Sequence, residues 1–137
     1  MTTEWSQDGP LGSWGGGIGA ITLFVEDVEA AKRFYRQVFG LPVHFEDKDS
    51  AVFDFDGTLI NLLKISEADE LIDPAVVASA DAGARMQFTI QVDDVDAVCA
   101  ELSKRGVELL NGPMDRPWGP RTACFRDPDG HIWEIAS

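Results

Sequence analysis

A short phrase that occurs twice is the feature that most constrains this chain. "VEDVEA" occupies residues 25–30 and "VDDVDA" occupies residues 92–97, so the second copy begins 67 residues after the first. Each copy follows a strand-like run and opens a helix-like run. The chain of 137 residues therefore reads as two copies of one unit, which together are long enough to bury a core.

The first copy predicts one helix among four strands. Apolar and polar positions alternate over residues 20–25, which predicts a strand. Asp27 can cap the helix that follows, and Gly40 is a natural stop. The apolar stripe of this helix is Ala31, Phe34, Tyr35 and Val38. Strand-like runs follow at residues 43–47, 51–55 and 58–65, and Asp56-Gly57 predicts a hairpin between the last two.

The second copy repeats this order. A strand over residues 86–92, a helix capped by Asp94 and ended by Gly106, and an apolar run are followed by strands at residues 122–127 and 131–136. The helix stripe is Val95, Val98, Cys99 and Leu102. The chain is thus expected to be an α+β fold of two βαβββ modules whose curved mixed sheets surround a central cavity.

These patterns also divide the chain into segments. Residues 1–17 are rich in glycine and polar residues, and we expect a flexible N-terminal arm there with Trp5 and Trp14 as its large apolar side chains. The single domain covers residues 18–137, with modules at 18–65 and 85–137. The linker between them, residues 66–84, is rich in Ala, Asp and Ser, and a short helical turn is expected at residues 74–79.

The charge balance narrows the classes of partner. The chain has 11 Lys and Arg against 24 Asp and Glu, a formal net charge of −13. Such a surface repels phosphate backbones and anionic lipid, so we expect no nucleic-acid or membrane partner. It would suit a cationic ligand, although acidity also serves solubility alone.

The cysteines and the hydropathy pattern bear on the compartment. Cys99 and Cys124 are isolated in the sequence, without metal-type spacing, and are expected to be buried reduced thiols. Neither an apolar run long enough to span a membrane nor a secretory signal pattern is visible. A cytoplasmic protein is therefore expected.

The duplicated pattern, the opening "VEDVEAAKRFY" with "FGLPV", and the closing "PWGPRTACFRDPDGHIWEI" resemble the vicinal oxygen chelate superfamily. This superfamily includes glyoxalase I, extradiol dioxygenases, fosfomycin-resistance enzymes and bleomycin-resistance proteins. The resemblance covers about residues 18–136 and implies the fold more strongly than the reaction, because the scaffold carries many chemistries. It also implies a homodimer, formed either by intact domains docking side by side or by exchanged modules.

In metalloenzymes of the family, four positions supply the metal ligands. The resemblance and the repeat place them at Ala20, Asn61, Gln87 and Glu134. Asn61 and Glu134 each lie four residues after the glycine of their hairpin turn, whereas Ala20 and Gln87 each lie five residues before the first valine of the repeated phrase.

This quartet is poor in metal donors. Catalytic divalent ions usually take about three protein ligands from histidine and carboxylate side chains. Ala20 has no donor, Asn61 and Gln87 offer neutral amides, and Glu134 is the single anion. No cofactor is therefore expected. Gln87 and Glu134 would be the remnants of a metal site, which water or another subunit would have to complete.

Strand alternation and the repeat place most of the candidate ligand-binding residues on the cavity faces, and the loop of residues 111–121 adds two that could close over a bound molecule. They are Thr22, Phe24, Asn61, Gln87, Thr89, Gln91, Trp118, Arg121 and Glu134. Trp118 offers a stacking face, and Arg121 can take a carboxylate or phenolate, although their loop also serves to order the last hairpin. Glu134 is the one candidate catalytic group, as a general base, and it can equally be an anionic contact for a cationic ligand or a structural hydrogen-bond acceptor.

Two functions from different classes follow. The first is a metal-free protein of the bleomycin-resistance type that binds a small, flat, partly polar organic molecule. The alternative is a metal-dependent lyase or isomerase of the glyoxalase type. An extradiol dioxygenase is disfavoured because the two histidines of its iron site are absent. His44 is expected to face solvent, and His131 is expected to flank the turn before the last strand.

Overall fold

A computed structural model of the protein describes residues 17–137. The arm predicted at residues 1–17, with Trp5 and Trp14, lies outside the described residues except for Gly17. The first module consists of β1 (Ala20–Val25), α1 (Val28–Phe39), β2 (Phe45–Glu46), β3 (Ser50–Phe55) and β4 (Thr58–Lys64). After a linker that contains α2 (Asp69–Ile72), the second consists of β5 (Gln87–Gln91), α3 (Val95–Lys104), β6 (Leu109–Asp115), β7 (Arg121–Arg126) and β8 (Ile132–Ala136).

Each module builds one four-stranded mixed sheet with the same topology. Sheet A has the order β1-β4-β3-β2 and sheet B has the order β5-β8-β7-β6. In both, the first strand of the module pairs in parallel with the last, and the other pairs are antiparallel. The predicted α+β fold of two βαβββ modules is therefore confirmed.

The local signals act as the sequence predicted. The Asp27 carboxylate accepts a hydrogen bond from the Ala30 amide at 3.1 Å, and the Asp94 carboxylate does the same for the Ala97 amide. Gly40 closes α1 in the left-handed conformation, with φ 68°.

The linker differs from the prediction in one respect. Its short helix α2 spans Asp69–Ile72, after a 3₁₀ turn at Ile65–Glu67, and residues 76–79 have no regular structure. The expected helical turn at residues 74–79 was therefore wrong. Proline lacks an amide hydrogen and disfavours helical geometry in the residue before it, so the helix ends ahead of Pro74.

The two modules meet through the sheet faces that carry their helices. Phe39 of α1 packs with its ring centroid 4.9 Å from that of Trp133 in sheet B, and Phe55 of sheet A stacks on the same indole at 5.1 Å. Phe34 of α1 lies 6.5 Å from Phe125 of sheet B. One hydrophobic core therefore joins both modules. The opposite face of each sheet, called the outer face below, points away from this junction.

A buried polar network crosses the same junction. The Asp127 side chain is fully buried and accepts hydrogen bonds from the Tyr35 hydroxyl at 2.7 Å and from the Asp129 and His131 amides at 2.9 Å. Its contact with Nδ1 of His131 measures 2.8 Å, and the Trp133 indole donates to the Tyr35 hydroxyl at 3.1 Å. The network fixes the turn before β8 against α1.

Two further observations bear on the sequence predictions. Cys99 and Cys124 are both buried free thiols, as expected. Within residues 17–137, no helix has the length and apolar character needed to cross a membrane.

Candidate functional site

Polar side chains line up across the outer face of each sheet. Residues that pair directly across neighbouring strands share a face, because side chains alternate along each strand. On sheet A, the register places Asn61 of β4 between Thr22 of β1 and Val52 of β3. On sheet B, it places Glu134 of β8 between Thr89 of β5 and Cys124 of β7, and Asn111 of β6 follows Cys124.

The two rows contain equivalent polar pairs. The Thr89 hydroxyl donates to Oε1 of Glu134 at 2.8 Å, and the Asn61 amide donates to the Thr22 hydroxyl at 3.4 Å. Each pair consists of a threonine on the first strand of its module and an amide or carboxylate on the last strand. Glu134 thus has a partner on its own sheet, and that partner is Thr89 rather than Gln87.

The predicted quartet is split between the two sheets. Ala20 pairs with Leu59 beside Asn61, and Gln87 pairs with Ile132 beside Glu134. Since the sheets join through their helix faces, the outer face of sheet A and the outer face of sheet B do not face each other within one chain. The structure therefore presents two half-sites.

The other predicted ligand contacts are accessible on these faces. Gln87, Thr89 and Gln91 are exposed along β5, and Phe24 is half-buried on β1. A cleft of about 300 Å³ opens beside Thr22 and Phe24, where the linker passes β1 and the turn before β8. Its volume lies at the lower end of the range for small-molecule pockets.

Arg121 lies on the opposite side of sheet B from the candidate site. It shares the parity of the buried Ala123 and points to the helix face, where its guanidinium contacts Asp96 of α3 at 2.9 Å and Asp115 of β6 at 3.1 Å. The hydrogen bond and charge of Asp96 raise the pKa of Arg121, and those of Arg121 lower the pKa of Asp96. Arg121 is thus engaged in surface ion pairs, and the structure does not bring it to the outer face.

A different arginine of the same loop does reach the outer face, and sequence reasoning missed it. Nε of Arg116 donates to the Thr122 hydroxyl at 2.7 Å, and one terminal nitrogen donates to the side-chain oxygen Oδ1 of Asn111 at 2.9 Å. Thr122 and Asn111 both belong to the outer face, the latter in the row of Glu134. The guanidinium also lies 5.8 Å from the ring centre of Trp118, which is 73% exposed.

The donor chemistry of the half-sites fits a divalent ion poorly. Sheet A contributes the amide of Asn61 and the methyl group of Ala20. Sheet B contributes the amide of Gln87 and the carboxylate of Glu134. Across residues 17–137, no group of three or more His, Cys, Asp and Glu side chains is close enough together to hold a metal ion. A site completed from both sheets would still contain a single anionic ligand, where catalytic ions commonly use histidines and several carboxylates.

The two histidines differ in position, since only His131 lines the cleft beside Thr22 and Phe24. His44 is exposed, as predicted, in the segment before β2. His131 follows the turn, as predicted, and contacts the buried Asp127. Burial lowers the pKa of His131, but the hydrogen bond and charge of Asp127 outweigh this effect, so that the net pKa is raised.

Comparison with known proteins gives one consistent result. Residues 17–135 match the family model described as the Glyoxalase/Bleomycin resistance protein/Dioxygenase superfamily. The protein YraH of Bacillus subtilis (strain 168) is 35% identical over 120 residues, which is 84% of this chain and 93% of that protein.

Solved structures agree with this assignment. A glyoxalase/bleomycin resistance protein/dioxygenase from Nocardioides aligns with a TM-score of 0.79 at 24% identity, over 88% of this chain and 82% of that one. A glyoxalase-related enzyme from Fulvimarina pelagi aligns with a TM-score of 0.74 at 28% identity, over 88% of this chain and 86% of that one.

Proposed function

Since the chain belongs to the glyoxalase/bleomycin resistance protein/dioxygenase superfamily, we propose that it binds a small organic molecule without a catalytic metal, in the manner of the bleomycin-resistance proteins. The observation that carries this proposal is the pair of matching polar positions, Thr22 with Asn61 and Thr89 with Glu134, one on each outer face. On sheet A, the register places Phe24, Val52 and Leu63 on the same face as Asn61, and these apolar side chains suit a largely organic ligand.

The ligand site is completed by a second copy of the chain. The outer faces point away from each other within one chain, so neither half-site alone encloses a ligand. A two-fold dimer in which sheet A of one protomer faces sheet B of its partner would create two equivalent clefts, each with Asn61 and Glu134 on opposite walls. The protein is therefore proposed to act as a homodimer.

Glu134 is proposed to attract a cationic group of the ligand. It is the single anion among the four symmetric positions, and Thr89 fixes one carboxylate oxygen. The other oxygen has no hydrogen-bond partner within residues 17–137, so it can accept one from the ligand. The formal net charge of −13 would favour the approach of such a ligand.

Thermal shift tests this function directly. The purified protein is screened against a panel of planar and cationic natural-product antibiotics, with and without a chelator. We expect at least one cationic compound to raise the Tm in both conditions. The Glu134→Gln variant should fold normally and lose most of this shift. Glu108→Gln removes one exposed charge outside the outer faces and should keep it. The proposal fails if no compound stabilises the protein while an added metal ion supports turnover.

A metal-dependent lyase or isomerase of the glyoxalase type is the second candidate. Gln87 and Glu134 favour it, because the register makes them diagonal neighbours on the adjacent strands β5 and β8. Elemental analysis of the purified protein, followed by assays of glyoxalase-type substrates with added divalent ions, separates the two functions. A stoichiometric metal whose removal abolishes turnover would favour the enzyme.

A further inference from the structure

The chemistry of Arg116 identifies a second contact within the proposed ligand site. Arg116 follows β6 directly, and its side chain folds back across the outer face to Thr122 and Asn111. Thr122 is 1% exposed, so it anchors the guanidinium to a rigid part of the sheet. The position of this positive charge is therefore set by the fold.

The partners of Arg116 leave its charge uncompensated. Among the described residues, three other basic side chains pair with carboxylates, namely Lys32, Arg105 and Arg121. Within residues 17–137, Arg116 forms no ion pair. The carboxylate of the preceding Asp115 binds Arg121 on the other face. Arg116 is thus held by two neutral oxygen atoms, although acidic residues outnumber basic residues in this chain.

The remaining hydrogen-bond donors of Arg116 suit an oxyanion. A guanidinium carries five N–H groups, and the bonds to Thr122 and Asn111 use two of them. The others form the planar fork that binds carboxylate, phosphonate or phosphate groups through paired, charge-assisted hydrogen bonds. The guanidinium lies over the ring of Trp118, 5.8 Å from its centre, and the exposed part of this indole offers a flat surface for an attached ring.

We propose that Arg116 binds an oxyanion of the ligand, with Trp118 stacked against the organic group that carries it. This inference rests on the proposed function, because it assigns a group to the same site, and it narrows the ligand class. Asn111, which accepts a hydrogen bond from Arg116, and Glu134 lie in one row with β7 between them, so the backbones of Asn111 and Glu134 are roughly 10 Å apart. The ligand is therefore dipolar, with an oxyanion at Arg116 and a cationic group at Glu134.

Titrations with matched small probes test the assignment. Benzoate and phenylphosphonate carry the oxyanion on a ring, and benzamide is the neutral counterpart of benzoate. Binding is followed by NMR through the Arg116 Nε–H and Trp118 indole N–H resonances of the full-length protein. We expect saturable shifts with both anions and none with benzamide. Equal shifts with benzoate and benzamide would overturn the proposal.

Variants separate this contact from a general charge effect. Arg116→Gln should weaken binding of both anions about tenfold or more. Arg33→Gln, which removes an exposed arginine from α1, should leave it unchanged. If Arg116→Gln does not fold, Arg116→Lys keeps the charge but loses the fork, and it should bind phenylphosphonate less tightly than the native protein does. Unchanged affinity in the folded Arg116 variants would overturn the proposal.

The experiments distinguish a failure of the Arg116 contact from a failure of the proposed function. If cationic compounds still bind through Glu134 while the Arg116 variants bind benzoate normally, the oxyanion contact is wrong and the function stands. If neither anions nor cations bind at the outer faces, both are wrong. Loss of benzoate binding in Trp118→Ala, whose side chain is too exposed to affect folding, would support the stacked arrangement.

Discussion

At the residue scale, the buried side chain of Asp127 connects several parts of the fold through its hydrogen bonds. An ionised group inside a protein is costly unless hydrogen bonds replace its lost hydration. Here Tyr35, His131 and two backbone amides donate to it, and the Tyr35 hydroxyl in turn accepts from Trp133. Since Tyr35 belongs to the first module and the other residues to the second, the network links the two.

We predict that Asp127→Ala lowers the free energy of unfolding by about 3–5 kcal/mol. The substitution removes one acceptor and leaves the buried Tyr35 hydroxyl and two amides without their partner. Tyr35→Phe removes only the donor on α1 and should cost about 1–3 kcal/mol. Chemical denaturation at neutral pH measures both.

Asp93→Ala provides the matched control for these measurements. It removes an exposed carboxylate ahead of α3 and should change the stability by less than about 0.5 kcal/mol. If Asp127→Ala resembled this control, the network would contribute little to stability.

Residue identity alone could not have predicted these contacts. The helical period correctly assigned Tyr35 to the buried stripe of α1, but it treats tyrosine as an apolar residue. Asp127 was recognised only as part of a turn, and 92 residues separate it from Tyr35. The side of the sheet that Arg116 and Arg121 each reach could not be predicted either. Arg116 lies in a turn without periodicity, where only the fold determines which arginine reaches the outer face.

At the element scale, local signals predicted more than long-range ones. Both helices, their aspartate caps and the Asp56-Gly57 hairpin follow from short-range chemistry and were correct. Strand β2 is shorter than the predicted run, since only Phe45–Glu46 pair with β3. Neighbouring strands decide how much of a run is paired, and the run itself does not contain that information.

The junction of β6 and β7 allows a test at this scale. Gly112 has φ 88°, and a Cβ atom there would collide with the Thr122 carbonyl oxygen and lie 2.7 Å from Cα of Ala123. We predict that Gly112→Ala lowers the free energy of unfolding by about 3 kcal/mol or more, because it adds a backbone collision to the strain of a left-handed conformation.

Gly57→Ala separates these two contributions. Gly57 has φ 104° in the β3–β4 hairpin, and nothing lies within 4 Å of a Cβ atom placed there. This variant should cost only the conformational strain, about 1–2 kcal/mol. Equal losses in the two variants, measured by denaturant titration, would show that β7 moves aside without cost.

At the scale of the whole molecule, the sequence predicted two modules but not the faces through which they meet. A sheet covered by one helix still has apolar surface to bury, and Phe39, Phe55 and Trp133 show how this chain buries it. The same packing turns the two outer faces away from each other. A cleft that contains both Asn61 and Glu134 therefore requires a second chain.

Mixing two variants tests this arrangement. We predict that the native protein sediments at twice the 15.0 kDa mass of one chain and that Asn61→Leu and Glu134→Gln each weaken binding of the compound with the largest thermal shift. If each cleft combines sheet A of one protomer with sheet B of its partner, a mixed dimer has one native cleft and one doubly altered cleft. Subunit exchange between the two variants should then restore native affinity in about one cleft of four.

Isothermal titration of the exchanged mixture distinguishes this cleft from one formed within a single chain. In the second case every cleft of the mixture carries one substitution, and exchange restores nothing. Each single variant, exchanged with itself, sets the baseline, because every cleft then carries one substitution in either arrangement. Restored binding above that baseline requires a cleft that two protomers share, because no single chain in the mixture has both native residues.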